Sequence, residues 1–275
     1  MKRKMKKTLV YVILAIFAVI QIFPLVWLVN YSFKSNAEIY TKSSFAIAEN
    51  IGPANYISAW VKGSIAKYFG NSVIVTLVSV AATLILACMM AYAITRMRWK
   101  FSNAVLAFLM VGMMIPIHAT LIPLFVLLQK IGLYSTRWSL IIPYTAVGLP
   151  LAVFIFSNFL RSIPHELEEA AFIDGCSVVR AFAQIILPSL KPAIATVAIF
   201  TFMSNWNEFI MASTYLQKSD LYTLPLGLTA FQGTHGSEMG PMAAAILIAS
   251  VPLLIFYCIF SEQVEKSFTA GAVLK

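Results

Sequence analysis

Six apolar runs, each long enough to cross a lipid bilayer, constrain this chain more than any other feature of its sequence. They cover about residues 8–30, 71–95, 103–128, 139–159, 192–212 and 242–260. A helix needs about 20 apolar residues to span the hydrocarbon core of a bilayer. Because 60% of the 275 residues are hydrophobic and only 11% are charged, the chain has too little polar surface for a soluble domain. We therefore predict an all-α membrane protein with six transmembrane helices in a single domain, residues 1–275.

The distribution of basic residues predicts the orientation of these spans. An even number of spans places both termini on one side of the membrane, and the segments on that side carry thirteen of the twenty Lys and Arg residues. The other seven are spread over longer loops, where the positive-inside rule weighs least. We therefore expect both termini, and the connection between the fourth and fifth spans, in the cytoplasm. The first run is too long for the apolar core of a signal peptide, so we expect a retained span.

The connection Pro164–Pro192 is the only long interval in which acidic and small residues interrupt the apolar chain. Pro164 has the backbone angle suited to the first position of a helix. Three glutamates follow where the helix dipole favours negative charge: Glu166, Glu168 and Glu169. Gly175 is a natural stop for this helix, and Ser177 can cap a second helix that runs up to Pro188. The sequence therefore predicts two short helices, joined at a glycine, over residues 164–188.

Two interpretations of this connection are open on physical grounds alone. An amphipathic connector in the lipid interface would present large apolar anchors, with Lys or Arg on its polar face. This connection instead offers alanines and acids. A face of small residues suits close approach to another protein.

A spaced motif lies in the same connection and consists of Glu169-Ala170-Ala171, three residues, Gly175, nine residues, Ile185, and then Leu187-Pro188. Its spacing resembles the EAA motif of the permease subunits of binding-protein-dependent ABC importers. The resemblance implies a cytoplasmic coupling helix that docks in a groove on an ATPase subunit and passes the ATPase movement to the membrane helices. The residues expected to carry this coupling are Glu169, Ala170, Ala171, Asp174, Gly175, Leu187 and Pro188.

Other motifs are similar to the sugar permeases of this family. They are Ser32-Phe33-Lys34 after the first span, Ala91-Tyr92-Ala93 with Arg96 at the end of the second, and Trp206-Asn207-Glu208-Phe209 after the fifth. Over nearly its whole length the chain is most similar to the second permease of maltose- and glycerol-3-phosphate-type systems. The resemblance implies a type I ABC importer permease fold and the import of a sugar or sugar derivative by alternating access.

Two polar segments are candidates for contact with the translocation pathway or with a partner. The first contains Asn205, Trp206, Asn207 and Glu208. An acid at this depth is costly unless it faces protein or water, and a Trp at the membrane interface beside a snorkelling acid is the structural alternative. The second contains Leu224, Pro225 and Gly227, and it resembles the loop that reaches the substrate-binding protein in maltose-type relatives.

The third apolar run contains two prolines and an ionisable residue. Pro116 and Pro123 each remove a backbone donor, so we expect a kinked helix that faces a cavity. His118 lies between them, and both a functional role and a neutral imidazole bonded to a nearby carbonyl are open for it.

Several functions lack the residues that they would need. The sequence contains no G-x-x-x-x-G-K-[ST] phosphate-binding loop, metal-ligand set or nucleophile motif, so we expect no enzyme activity and no cofactor in this chain. The resemblance implies that ATP is bound by two copies of a cytoplasmic ATPase. It also implies a second, different permease subunit and an extracytoplasmic binding protein as partners, a bacterial cytoplasmic (inner) membrane location, and no nucleic acid.

Two other classes of membrane protein were weighed against this assignment. An ion-coupled secondary transporter would need buried carboxylates or paired broken helices, and the apolar runs contain few acids. A membrane anchor that transports nothing would not need two proline-containing spans.

Overall fold

A computed structural model describes residues 2–97, 99–233 and 236–273, with side chains described for residues 7–97, 99–232 and 238–260. Its longer helices, of ten residues or more, are α1 (Lys2–Phe33), α4 (Ile65–Arg96), α5 (Ser102–Met113), α6 (Leu121–Lys130), α7 (Trp138–Ser162), α11 (Lys191–Trp206) and α14 (Met239–Val273). Its shorter α-helices are α2 (Asn36–Thr41), α3 (Ala54–Ile57), α8 (Glu166–Ile173), α9 (Val178–Ala181), α10 (Leu187–Ser189), α12 (Ile210–Tyr215) and α13 (Leu224–Gly227).

Short 3-10 and π segments connect several of these helices. The π segments are Ser58–Lys62 and Phe182–Ile186, and the 3-10 segments are Ile117–Thr120, Ser219–Leu221 and Leu228–Phe231. Two short strands, β1 (Gln232–Gly233) and β2 (Gly236–Ser237), pair antiparallel, with Gln232 opposite Ser237. The predicted all-α fold class is confirmed, since each strand of this hairpin has only two residues and the rest of the described regular structure is helical.

Four of the six predicted spans each fall within one continuous helix that is long and apolar enough to cross a membrane. These helices are Lys7–Phe33, Ile65–Arg96, Trp138–Ser162 and Met239–Phe260. The described chain contains up to six spans if each of two bent helix pairs is counted as one. The pairs are Ser102–Met113 with Ile117–Lys130, bent by 92°, and Val178–Ser189 with Lys191–Trp206, bent by 73°.

The third predicted span is broken, which is a larger distortion than the expected kink. Helix α5 ends at Met113, and Pro116 is extended, with φ −60° and ψ 120°. Proline supplies no N–H and disfavours the helical conformation of the residue before it, so the helix stops here. Pro123 is tolerated because it lies in the first turn of α6, where backbone N–H groups have no partner within the helix.

The fifth predicted span is shorter than expected. Helix α11 ends at Trp206, and the residues up to Ala212 belong to the separate helix α12. The interruption falls in the polar residues Asn207 and Glu208, but apolar residues follow it, and for that reason hydropathy alone placed one span over residues 192–212.

The described chain divides into two compact units, and each is built from two separate stretches of sequence. One unit combines the residues up to Tyr68 with Leu226–Val251, and the other combines Phe69–Pro225 with the residues from Pro252 onward.

In the first unit, the segment that follows α1 is held by buried polar groups. Lys34 is buried, and its Nζ donates hydrogen bonds to the carbonyl oxygens of Ser43 and Ser44, at 3.2 Å each. Asn55 Nδ2 donates to the carbonyl oxygens of Ser32 and Lys34, at 2.8 Å each. The Ser-Phe-Lys motif therefore forms a packed exit from the first span.

The core of the second unit lies where α4, α7 and α11 pack together. Its buried residues include Ala87, Ala91, Val153, Phe156 and Val197. Ala87 and Ala91 of α4 are fully buried in this cluster, and small residues of this kind suit close packing of membrane helices.

Hydrogen bonds fasten the long loop after α12 to the start of α4. Asn71 Nδ2 donates to the carbonyl oxygens of Asp220 and Tyr222, while Arg137 Nη2 donates to Asn71 Oδ1 at 2.9 Å. A loop of this length is ordered here because its backbone groups find specific partners.

Candidate functional site

The two helices of the Pro164–Pro192 connection meet at a tight glycine turn. Gly175 has φ +82°, its N–H donates to the Phe172 carbonyl at 3.1 Å, and the Cys176 N–H donates to the Ala171 carbonyl at 2.9 Å. This pair of bonds is a Schellman motif, which requires a left-handed residue after the helix cap. The predicted glycine junction is confirmed, and we call the segment from Glu166 to Ser189 the coupling loop.

The ends of the coupling-loop helices differ in detail from the prediction. Helix α8 begins at Glu166 with His165 as its N-cap, so Pro164 lies outside the helix and not at its first position. Ser177 caps the second helix as predicted, because its Oγ accepts a hydrogen bond from the Arg180 N–H at 3.3 Å.

The second helix continues past Pro188 to Ser189, and it is widened into the π segment Phe182–Ile186 just before the proline. In an α-helix a proline ring would clash with the carbonyl four residues earlier. A π segment changes that spacing, which explains why Pro188 does not end the helix as expected.

Most of the predicted coupling residues share an exposed surface. Glu169, Ala170, Asp174, Gly175, Leu187 and Pro188 are exposed, whereas Ala171 is buried against the rest of the unit. Large apolar side chains flank the glycine turn and are also exposed, with 86% of Ile173 and 76% of Val179 accessible. An exposed apolar surface beside acidic residues is typical of a protein-binding site.

A buried ion pair joins the coupling loop to the end of the second span. Glu168 Oε1 lies 3.0 Å from Arg96 Nε, and the two side chains are 7% and 3% exposed. Tyr92 Oη donates a hydrogen bond to Glu168 Oε2 at 3.0 Å. From the sequence Glu168 is expected only as a charge that favours the helix dipole, and this pair is not predicted. Tyr92 and Arg96 lie four residues apart on one helical face, which is the signal that could have identified a shared partner.

Glu208 is bound within the protein by three donors. Its Oε1 accepts the Met211 N–H at 2.6 Å, and its Oε2 accepts the Ala212 N–H at 3.1 Å and the Tyr144 hydroxyl at 2.7 Å. The two N–H groups belong to the first turn of α12, so this carboxylate caps that helix. Glu208 is therefore neither a snorkelling acid nor a free charge.

The other residues of the same segment have different surroundings. Trp206 is buried and stacks on Phe202, with ring centroids 5.5 Å apart. Asn207 is exposed and donates to the Met203 carbonyl at 2.9 Å. Asn205 is only 9% exposed, and its Nδ2 has no hydrogen-bond partner among the described residues.

Two cavities lie beside Asn205. A cavity of about 170 Å³ is lined by polar groups that include His118, Tyr144, Ser204, Asn205 and Glu208. A larger, mainly apolar cavity of about 800 Å³ lies between the broken third span and helices α7 and α11, and it shares Tyr144, Ser204 and Asn205 with the smaller one. The expectation that the broken helix faces a cavity is confirmed.

The second predicted contact segment is largely packed inside the protein. Leu224 is buried, and its N–H donates to Ser72 Oγ at 2.7 Å. Pro225 is half-buried. Gly227 is buried against the ring of Tyr68, which leaves no room for a side chain. Among the described residues, no group of three or more His, Cys, Asp or Glu side chains is placed to hold a metal ion.

Comparisons with known proteins were made for the whole chain. Residues 83–268 match the model of the family described as "Binding-protein-dependent transport system inner membrane component". The chain is 38% identical to the "Putative ABC transporter permease protein ORF2" of Caldicellulosiruptor sp., over 96% of this chain and 95% of that protein. It is 35% identical to the diacetylchitobiose uptake system permease protein NgcG of Streptomyces coelicolor, over 95% of this chain and 87% of that protein.

Two further comparisons extend the likeness. The arabinooligosaccharides transport system permease protein AraQ of Halalkalibacterium halodurans is 30% identical, over 99% of both chains. A chain in the crystal structure of a bacterial ABC transporter involved in the import of the acidic polysaccharide alginate has the same fold, with a TM-score of 0.83 over 94% of this chain and 96% of that one, at 22% identity.

Proposed function

The chain belongs to the family of binding-protein-dependent transport system inner membrane components, and we propose that it is the permease subunit of an ABC importer for an oligosaccharide. It is a multi-pass membrane protein of the inner membrane and not an enzyme. The three sequence relatives named above are permease proteins, one of them named as an ABC transporter permease, and none of them supports the alternative of an ion-coupled secondary transporter.

The carbohydrate class rests on the relatives. Two proteins that match nearly the whole chain are named for diacetylchitobiose and arabinooligosaccharides. Both substrates are short sugars joined by glycosidic bonds. A neutral or weakly charged oligosaccharide is therefore the substrate class that this chain is proposed to transport.

The exposed surface of the coupling loop carries the mechanistic part of the proposal. Glu169 and Ala170 lie on the outer side of α8, and Ile173 and Val179 flank the glycine turn beside them. An ATPase groove that covered this surface would bury apolar area and pair with the acid. The proposed complex contains two cytoplasmic ATPases that bind the ATP, a second permease and an extracytoplasmic binding protein, with both termini of this chain in the cytoplasm.

The single membrane domain of residues 1–275 is part of the same proposal. The two compact units would act together in alternating access, in which closure of the ATPases moves the coupling loop and opens a midplane pathway to the binding protein. Asn205 is the proposed pathway contact, because it lines both cavities and its Nδ2 has no hydrogen-bond partner among the described residues.

The docking experiment is co-purification of the detergent-solubilised chain with its ATPase. We expect Glu169→Lys to reduce ATPase recovery by about tenfold or more, since it reverses a charge in the proposed interface. The matched control is Asp220→Lys, which makes the same charge change in an exposed residue of the loop after α12. Equal recovery of the ATPase with Glu169→Lys and wild type would contradict the docking assignment.

The substrate experiment is uptake into proteoliposomes that contain the whole complex, tested with a panel of labelled diacetylchitobiose, arabinooligosaccharides and alginate oligosaccharides. We expect uptake of at least one neutral oligosaccharide, and its loss by about tenfold in Asn205→Ala with ATPase recovery unchanged. Uptake of none of these sugars, with transport of an amino acid instead, would overturn the carbohydrate assignment.

A further inference from the structure

Arg96, at the end of α4, contacts two other helices of the second unit. Its guanidinium pairs with Glu168 of α8, and its Nη2 donates to the carbonyl oxygens of Leu160 at 2.8 Å and Ile163 at 2.7 Å. Leu160 lies in the last turn of α7 and Ile163 is its C-cap, so both carbonyls are at the end of the helix where its dipole favours a cation. One side chain at the end of α4 therefore holds both α7 and α8.

Tyr92 lies one turn before Arg96 and strengthens the same connection. Its hydroxyl donates to Glu168, and its ring packs against Phe182 of the second coupling-loop helix, with centroids 4.9 Å apart. Both helices of the coupling loop are thus fixed to α4 by neighbouring side chains. The adjacent Glu169 is exposed, so α8 is held on one side and open on the other.

The chain between α7 and α8 makes such a connection necessary. Only Ile163, Pro164 and His165 separate the two helices, and the Gly175 turn follows α8. Movement of a short helix between two non-helical joints would be absorbed by rotation about those joints unless side chains resisted it. A buried ion pair with additional hydrogen bonds resists such rotation, because separating its partners leaves an uncompensated charge.

We propose that Arg96 is the positioning residue that makes α8 move as one body with the ends of α4 and α7, so that displacement of the coupling loop reaches the membrane helices. This inference rests on the proposed function, since it requires an ATPase that displaces α8. Arg96→Lys is expected to weaken this role, because an ammonium group lacks the planar guanidinium, whose Nη2 donates to both carbonyls while its Nε lies 3.0 Å from Glu168 in an ion pair without hydrogen-bond geometry.

The test separates this role from simple structural support by comparing three variants in the complete complex reconstituted in proteoliposomes. The first is Arg96→Lys. The second is Glu168→Gln, which keeps the shape and removes the charge. The third is the double variant Arg96→Met with Glu168→Leu, which replaces a buried ion pair by apolar side chains and is expected to keep the thermal unfolding temperature near that of wild type. The matched control is Glu166→Gln, an exposed glutamate in the same turn of α8.

Three quantities are measured for each variant: recovery of the ATPase on co-purification, stimulation of ATP hydrolysis by the substrate-loaded binding protein, and hydrogen exchange of the amides from Ile163 to Ile173. The substrate is the labelled oligosaccharide that the uptake panel identifies. In all three variants we expect full ATPase recovery, stimulation reduced by about tenfold or more, and faster amide exchange. Glu166→Gln should match wild type in all three quantities.

The outcomes distinguish this inference from the proposed function. Full stimulation in the stable double variant would overturn the inference, because the ion pair would then serve stability alone. Loss of ATPase recovery in both Arg96→Lys and Glu168→Gln would also overturn it, since these residues would then shape the docking surface. ATPase recovery that is insensitive to Glu169→Lys would instead overturn the docking assignment itself.

Discussion

Glu168 and Glu169 are neighbours in sequence with opposite surroundings. Glu168 is buried in an ion pair with Arg96, and Glu169 is exposed on the other side of α8. Successive residues on a helix are about 100° apart, so one inward and one outward carboxylate need no special backbone geometry. This division is compatible with the proposed outward docking and inward anchoring of one short helix.

Two glycines with positive φ provide a matched comparison at the residue scale. Gly175 has φ +82° and Gly132 has φ +71°, and a Cβ added to either would meet no atom within 4 Å. We expect Gly175→Ala and Gly132→Ala each to lower the free energy of unfolding by about 1 kcal/mol, because both force alanine into the left-handed region.

Only Gly175→Ala is expected to reduce stimulation of ATP hydrolysis as well, since Gly132 lies outside the coupling loop. Thermal unfolding and hydrolysis assays on the reconstituted complex measure the two effects. Equal loss of stimulation in both variants would show that the Gly175 turn has no special part in coupling.

The ionisation of Glu38 is expected to make the stability of the 35–49 segment, which follows α1, depend on pH. Hydrogen bonds from the Glu49 N–H, the Ser35 N–H and the Ser35 hydroxyl lower the pKa of this carboxyl from 4.5 to about 2. Because the folded-state pKa lies below the unfolded value, the stabilisation is complete above pH 4.5 and is lost as the pH falls toward 2. We expect the protection of the 35–49 amides, measured against the intrinsic exchange rate at each pH, to fall over that range in wild type. In Glu38→Gln this protection should be low at every pH, and a persistent acid dependence of the protection would assign it to another group.

At the scale of elements, hydropathy correctly predicts four spans that form continuous helices. Three of these helices contain prolines and remain unbroken, because neighbouring groups can satisfy the backbone that a proline frees. In the third span Pro116 predicts a disruption of the helix, but a proline does not give the angle between the two resulting arms. The end of α11 at Trp206 could not be predicted from hydropathy. It depends on the cap that Glu208 provides for α12 and on Tyr144, which is distant in sequence.

The same limit applies to the candidate site. The Gly175 stop and the Ser177 cap are local, so they could be predicted from neighbouring residues. The pair between Arg96 and Glu168 joins residues separated by 72 positions, and the four-residue spacing of Tyr92 and Arg96 does not identify their distant partner.

The broken third span predicts a short distance between its ends. A straight helix from Asn103 to Gln129 would be about 40 Å long, whereas two arms bent by 92° place those positions about 28 Å apart. We expect spin labels at these two positions to report the shorter distance in proteoliposomes. A distance near 40 Å would show that the two arms form one continuous helix.

At the scale of the whole molecule, each unit is completed by residues from a distant part of the chain. The Gly240 N–H donates to Asn36 Oδ1 at 3.2 Å, which joins the start of α14 to the loop after α1. These two residues are 204 positions apart. The first unit therefore depends on both ends of its sequence being in place.

Gly240→Ala is the corresponding prediction. An added Cβ would lie 2.6 Å from the Lys34 carbonyl oxygen and 2.7 Å from Asn55 Nδ2. We expect a loss of about 1–3 kcal/mol in the free energy of unfolding, because backbone and buried amide must move apart. Gly112→Ala is the control, since no atom lies within 4 Å of its Cβ and alanine favours the interior of α5. Equal stability of both variants would show that the first unit tolerates separation at this contact.

The bond between Asn36 and Gly240 also implies a delay during synthesis, because its two partners are translated at different times. Ribosomes add about 5–20 residues per second, so the 204 residues between these partners take about 10–40 seconds to emerge. Throughout that interval the loop after the first span has left the ribosome while its last packing partner does not yet exist. A protease or chaperone on that side of the membrane would meet an unfinished surface on every newly made copy. The surface is completed when α14 has been translated and packs against it.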